Sequence, residues 1–231
     1  MKNILCFILI GFIVAKNLIL VGDKRFVEIA QNLIGIDEMN QFTYYYSYRY
    51  YLSNKEPISY KGFNIQVTGV TSDIFDSIFN DAPKSSLTEQ LVKAKDGSDV
   101  LLNLGIQNLN KFNDIVNLYG KLADKFTNLN FYIIPILGVN ESIERNIKNK
   151  DIKEFNMKIE NRIKLAEFPN LKYKDILKDY DPTQLILNDE AIDLNNYSSD
   201  GIGFFNSGYN RPSAEQLGLQ PLQRLLQLLR C

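Results

Sequence analysis

The chain alternates between short runs that are apolar at every position and longer stretches in which apolar residues recur every three or four positions. The first pattern suits a strand buried on both faces, and the second suits a helix with one buried face. Asn17 to Val21 predicts a first strand, and Phe26 to Ile34 a helix with Phe26, Ile29, Ala30, Leu33 and Ile34 on one side. Gly35 is placed to stop that helix, since glycine tolerates the left-handed conformation common just past a helix end. Phe63 to Val67 predicts a second strand, and Ser72 to Phe79 and Ser85 to Ala94 predict helices separated by Pro83, with Ser85 or Ser86 able to cap the later one. Asp99 to Leu104 reads as a buried strand ending at Gly105, followed by a helix over Lys111 to Phe126. Phe131 to Leu137 predicts another strand, Ile152 to Ala166 a charged helix with Phe155, Ile159 and Ile163 four apart, and Leu171 to Ile176 a last strand.

Strands therefore alternate with helices, and the central strands are apolar throughout. That combination predicts an α/β fold built on a parallel sheet with both faces covered. Ligand sites in such sheets lie beyond the carboxyl ends of the strands. The loops of interest are then Asp23–Lys24, Thr68–Thr71, Gly105–Asn108, Gly138–Asn140 and Asp200–Phe204.

Three segments fall outside this rhythm. Phe42 to Tyr51 holds six tyrosines, and reads either as a groove lining or as an amphipathic segment covering the sheet edge with its phenols toward water. Lys2 and Asn3 precede the uncharged, mostly apolar run Ile4 to Ala15, which has the layout of a short secretory signal and is too short to span a bilayer comfortably as a helix. The other reading is a buried element at the start of the fold. From Arg211 onward Lys, Ile, Asn, Tyr and Phe vanish and Leu, Gln and Arg dominate. This tail is either an amphipathic or partner-binding helix interrupted by Pro221, or an extension of foreign origin. The expected organisation is a signal peptide over 1–15, one domain over 16–210, and a tail over 211–231, with a secreted or cell-surface protein as the result.

Composition narrows the chemistry. At 231 residues the chain suits one α/β domain, and 45% apolar content supplies its core. A net charge of −1 with dispersed lysines points away from nucleic acid as a partner. The sole cysteines are Cys6 and Cys231, and there is no histidine. No metal site is expected, because zinc sites draw on histidine and cysteine, and Asp189, Glu190 and Asp193 do not have calcium-loop spacing. No phosphate-cradling glycine pattern is present, and no cofactor is expected. Membrane contact is expected only through the N-terminal targeting segment.

Four short blocks carry a resemblance. Gly22-Asp23-Lys24 follows the first strand, Gly69 stands in Val67-Thr68-Gly69-Val70, Gly105-Ile106-Gln107-Asn108 follows a buried strand, and Asp200-Gly201-Ile202-Gly203 lies near the end. In order, strand context and spacing they resemble the blocks of the SGNH/GDSL hydrolase superfamily, over about Asn17 to Phe205. The resemblance implies a three-layer α/β/α sandwich with a flavodoxin-like parallel sheet. It implies a secreted esterase-like scaffold whose blocks supply, in turn, a serine, an oxyanion glycine, an oxyanion asparagine and an Asp-x-x-His pair.

The departures fall on the reactive positions. Lys24 stands for the serine, Gln107 for the asparagine and Gly203 for the histidine, while Asp200 and Gly69 keep the family's residue type. Acyl transfer needs an activated nucleophile, a base within hydrogen-bond reach and oxyanion donors. Glycine has no group to take a proton, and no histidine elsewhere can substitute. The expectation is a protein without ordinary hydrolase activity, whose residual cleft at Asp23, Lys24, Gly69, Gln107, Asn108 and Asp200 binds a small molecule or glycan or serves as an interaction surface for a partner. A Lys24–Asp200 ion pair would fill the space of the lost serine and histidine, in contrast to a catalytic lysine, because neighbouring carboxylates hold an amine in its charged form. The opposing expectation is an active esterase or acyltransferase on carbohydrate or lipid esters, with Ser72 or Ser207 as nucleophile. A third is a scaffold whose tyrosine-rich segment is the contact surface.

Overall fold

A computed structural model of the chain describes residues 15–22, 42–44, 52–54, 57–60, 63–69, 86–106, 108–136, 138–139 and 146–175. In chain order the elements are β1 (Lys16–Gly22), β2 (Phe42–Tyr44), β3 (Leu52–Asn54), β4 (Ile58–Tyr60), β5 (Phe63–Gly69), α1 (Ser86–Lys93), β6 (Asp99–Asn103), α2 (Phe112–Lys125), β7 (Asn130–Ile133), α3 (Asn149–Lys164) and β8 (Leu171–Tyr173). The predicted helices at Phe26 to Ile34 and Ser72 to Phe79 lie outside the described residues, as do residues 1–14 and everything after Asp175.

Five strands form a parallel sheet in the order β5-β1-β6-β7-β8. The chain passes from β1 to one neighbour, β5, then returns to place β6 on the other side. This is the flavodoxin-like order, and the reversal between β1 and β6 is where such folds open a crevice at the carboxyl edge. The expected α/β architecture is therefore present. Its register explains the apolar runs. Residues paired across strands share a face, so Ile19, Val21, Val100, Leu102, Phe131 and Ile133 lie on one side and Leu18, Leu20, Ile65, Val67 and Leu101 on the other. All eleven are buried, which is why hydrophobicity does not alternate along β1 or β6.

The first of these faces carries the described helices. From α2 it receives Ile115, Leu118, Tyr119, Leu122 and Ala123, and from α3 it receives Ile152, Phe155, Ile159 and Ile163, with Leu91 of α1 in the same cluster. Burying each large aliphatic or aromatic side chain is worth roughly 1.5–3 kcal/mol, so this stripe and not helix propensity holds α3 in place. Its outer face carries the exposed pairs Lys158–Glu154 and Lys164–Glu160, both at 2.6 Å, which add little to stability.

The parallel sheet is extended at one edge, where β3 and β4 pair antiparallel with β5 and β2 pairs antiparallel with β3. The start of the tyrosine-rich segment, Phe42–Tyr44, is an edge strand of this addition, while Tyr45 to Tyr51 lie outside the described residues. Strands of three residues carry too short a pattern to be read from periodicity. One expectation needs correction, since the predicted strand Phe131 to Leu137 ends at Ile133. Ile134 N still donates to the Leu102 carbonyl at 3.0 Å, but Pro135 offers no N–H to a ladder, and the carbonyls of Ile134 and Pro135 and both backbone groups of Ile136 take side-chain partners.

At the amino edge, away from the crevice, Asp99 is 1% exposed and meets Lys16 Nζ at 2.9 Å, as an ion pair more than a well-angled hydrogen bond. Its other oxygen accepts from Asn130 Nδ2 at 3.2 Å. Burial and the Asp99 charge push the Tyr132 phenol up from its ordinary value. Tyr173, raised chiefly by burial and then by Asp175 and Glu160, gives a pH prediction. The unfolded phenol ionises near pH 10 and the folded one resists, so stability is unaffected below that pH and falls above it. Tyr173→Phe should flatten the loss of stability above pH 10 in urea titrations; an unchanged slope would mean that Tyr173 is not the group responsible.

Candidate functional site

The carboxyl edge of the sheet is built from three strand ends at one level. Gly22 of β1 pairs in register with Gly69 of β5 on one side and with Asn103 of β6 on the other. Neighbouring strands run about 4.8 Å apart, so the three positions span about 10 Å. The segments that leave the sheet at this row are those of the first three sequence blocks. Asp23 and Lys24 follow Gly22 directly, Val70 follows Gly69, and Leu104-Gly105 follow Asn103. The topology thus gathers Gly22, Gly69 and the start of the Gly105–Asn108 turn at the reversal point, from positions as much as 83 residues apart in sequence.

The candidate residues fare differently. Gly69 ends β5, and Asn108 closes a turn in which its N–H donates to the Gly105 carbonyl at 2.9 Å. The Asn108 carbonyl then accepts from Lys111 N at 2.9 Å, leading the chain into α2. Asp23, Lys24, Gln107, Asp200 and Gly203 lie outside the described residues, and so does any Lys24–Asp200 pair. Thr68, expected at the start of a loop, is instead inside β5 and fully buried, with its hydroxyl donating to Gln90 Oε1 of α1. Strand β5 therefore runs two residues past the predicted Val67. Among the described residues no group of three or more metal-ligating side chains occurs.

The turn at Gly105 is fixed by sterics. Its φ is +117°, and a Cβ there would lie 2.9 Å from Phe155 Cζ and 3.2 Å from Phe155 Cε1. Only glycine combines that backbone with so close an approach of α3. Tyr119 of α2 donates from its hydroxyl to the Leu104 carbonyl at 3.4 Å, fastening the residue before the turn.

The wall beside this turn is held by three asparagines that sequence reasoning did not single out. Asn103 Nδ2 donates to the carbonyls of Pro135 at 2.9 Å and Ile134 at 3.3 Å. Asn156 accepts from Ile136 N at 2.8 Å and donates to Ile136 O at 2.8 Å. Asn149 does the same for Val139, at 2.7 Å and 3.0 Å. Each helix carboxamide acts as one rung of a missing strand, meeting both the donor and the acceptor of a buried residue, as buried backbone requires. This is how a run without a ladder can stay inside the protein. The signal was present in the sequence. Asn149 and Asn156 are seven apart and fall within the apolar stripe of Ile152, Phe155, Ile159 and Ile163, where a polar side chain demands a partner.

Two solved structures share this fold across most of both chains. One is a candidate platelet activating factor from Streptococcus pneumonia, with a TM-score of 0.52, 17% identity, and coverage of 94% of this chain and 86% of that one. The other is a GDSL-like lipase from Bacteroides thetaiotaomicron, with a TM-score of 0.50, 14% identity, and coverage of 93% and 87%. No model of a protein family and no curated protein matches the sequence. The chain thus has a GDSL-hydrolase-like fold, a likeness carried by topology and not by sequence identity.

Proposed function

We propose that this protein uses a GDSL-hydrolase-like fold to bind a ligand without hydrolysing it, and that it acts outside the cell. The observation that carries the reading is the pairing of this fold with a chain that has no histidine and that places Lys24 two residues past Gly22, where the first block leaves the sheet. Serine-dependent acyl transfer on such a scaffold loses several powers of ten in rate when members of the triad are removed. With nucleophile and base both replaced, the carboxyl-edge crevice keeps its frame of Gly22, Gly69 and Asn103 but not the groups for chemistry. A lysine at the nucleophile position favours a ligand carrying a carboxylate or an acylated sugar, since an ammonium offers donors and charge to such oxygens.

The test is hydrolysis of p-nitrophenyl acetate and butyrate by the purified full chain. The expected rate is that of buffer. Turnover well above buffer that disappears in Lys24→Ala would overturn the reading and make Lys24 catalytic. Turnover that survives Lys24→Ala but not Ser72→Ala or Ser207→Ala would overturn it in favour of a serine esterase.

Secretion is the second half of the proposal. It rests on the charged and then apolar N-terminal run and on β1 beginning at Lys16, immediately after the expected cleavage point at Ala15. Expressed with its N-terminus intact in a secreting host, the protein should appear in the medium with Lys16 as its first residue by N-terminal sequencing. Recovery only from the cytoplasm, with Met1 retained, would reject it.

A further inference from the structure

On the helix side of the Gly105–Asn108 turn lies a cleft of about 480 Å³, between the segment Ile106 to Phe112 and the first half of α3. That volume is within the roughly 300–1,000 Å³ typical of small-molecule sites. Its floor is apolar, formed by Ile106, Leu109, Phe112 and Phe155. The two phenylalanines meet edge to face at 6.0 Å, which fixes the floor's shape. Phe155 also backs onto Gly105, so the floor is continuous with the turn at the sheet edge.

The rim is of a different character. Asp151, Glu154 and Lys158 stand along one side of α3, with Asn110 and Asn146 on the loops around them, all exposed. Lys158 Nζ is 2.6 Å from Glu154 Oε1, and this bond holds the Glu154 carboxyl below its usual range. The rim thus presents ionised acceptors, an ammonium and two carboxamides in one ring. Carboxylates only accept, ammonium only donates, and carboxamides do both.

This set discriminates among ligand classes. A fatty acyl chain would need an apolar channel, and would here pass a ring of charged groups left without new partners. A small anion would meet two carboxylates and a lysine already engaged by one of them. A neutral polyhydroxylated ring suits both layers, because its hydroxyls both donate and accept around the rim while its C–H face rests on the apolar floor. We propose that this cleft is a carbohydrate-binding subsite, with Asp151, Glu154 and Asn110 recognising sugar hydroxyls and Phe112 supporting the ring. Its lining residues come from the third block, the start of α2, the loop before α3 and α3 itself, and none from Gly22-Asp23-Lys24.

The test uses the full chain and four probes, the methyl β-glycosides of glucose, galactose, mannose and N-acetylglucosamine, with decanoate as an apolar control. Ligand-observed NMR and calorimetry should show saturable binding of at least one glycoside. Asp151→Ala and Glu154→Ala should each weaken it by at least about tenfold. Both side chains are exposed, so the variants should keep the parent's thermal midpoint. Glycoside binding lost in Lys24→Ala and kept in both carboxylate variants would put the sugar in the crevice, which separates this proposal from the reading of the crevice. Absence of saturable binding for all four glycosides at tens of millimolar would overturn it. So would binding indifferent to both carboxylate variants, binding abolished by Lys24→Ala alone, or decanoate binding in place of the glycosides.

Discussion

Replacing Gly105 with alanine is expected to destabilise the protein by about 2–6 kcal/mol. Two costs add. A residue with a side chain held at φ +117° carries strain of roughly 1–3 kcal/mol. The new methyl would also stand 2.9 Å from Phe155 Cζ and 3.5 Å from Ile136 Cδ1. Phe155 is 4% exposed and packed edge-on against Phe112, so moving its ring toward the cleft to make room breaks that contact. Forcing a methyl into a packed core costs about 1–3 kcal/mol. In a domain of this size each kcal/mol lowers the melting temperature by roughly 2–4 °C, which predicts a fall of about 10 °C by calorimetry. Phe155→Leu introduced together with Gly105→Ala should recover the crowding part and leave the backbone strain. A melting temperature within about 2 °C of the parent for Gly105→Ala would show that the turn is not constrained as described.

Asn156→Ala should cost a comparable amount, about 2–6 kcal/mol. The alanine removes both partners of Ile136, whose N–H and carbonyl each bond to the Asn156 carboxamide at 2.8 Å. Each buried backbone group left unsatisfied costs about 1–3 kcal/mol. The effect should be local before it is global. Amide exchange at Ile136 should accelerate by orders of magnitude, while Val139, held separately by Asn149, should keep most of its protection. Equal loss at both amides would mean that the wall opens as one unit and would refute independent clamps. Asn156→Asp sharpens the test. The carboxylate still accepts from Ile136 N but cannot donate to Ile136 O, and its charge sits at a position only 9% exposed. Burial would raise its folded pKa above the unfolded value near 4, so the variant should be most stable at acid pH and lose stability as pH rises from there.

These predictions rest on features with different visibility in the sequence. Gly105 could be marked as the end of a strand and the start of a turn, because a glycine after a continuous apolar run is strong punctuation. Its positive φ and its contact with Phe155, fifty residues later, could not. The expected strand over Phe131 to Leu137 exceeds the real one for a related reason. Periodicity registers only that Phe131 to Leu137 is apolar. It does not distinguish backbone bonded to a neighbouring strand from backbone bonded to carboxamides on a helix. The short antiparallel strands β2, β3 and β4 escaped because three residues do not establish a period.

The sequence by itself determined the class of fold, the order of its main strands and helices, and the absence of histidine chemistry. These are local or compositional properties, set by which residues are apolar and at what spacing. Only the tertiary structure decided that Gly22, Gly69 and Asn103 stand level in adjacent strands, that three asparagines replace a strand at the wall, and that a cleft with a polar rim opens beside Phe155. Each of these joins residues far apart in the chain. Register, side-chain amide pairing and cavity shape arise from packing between elements, and no single stretch of sequence contains both partners.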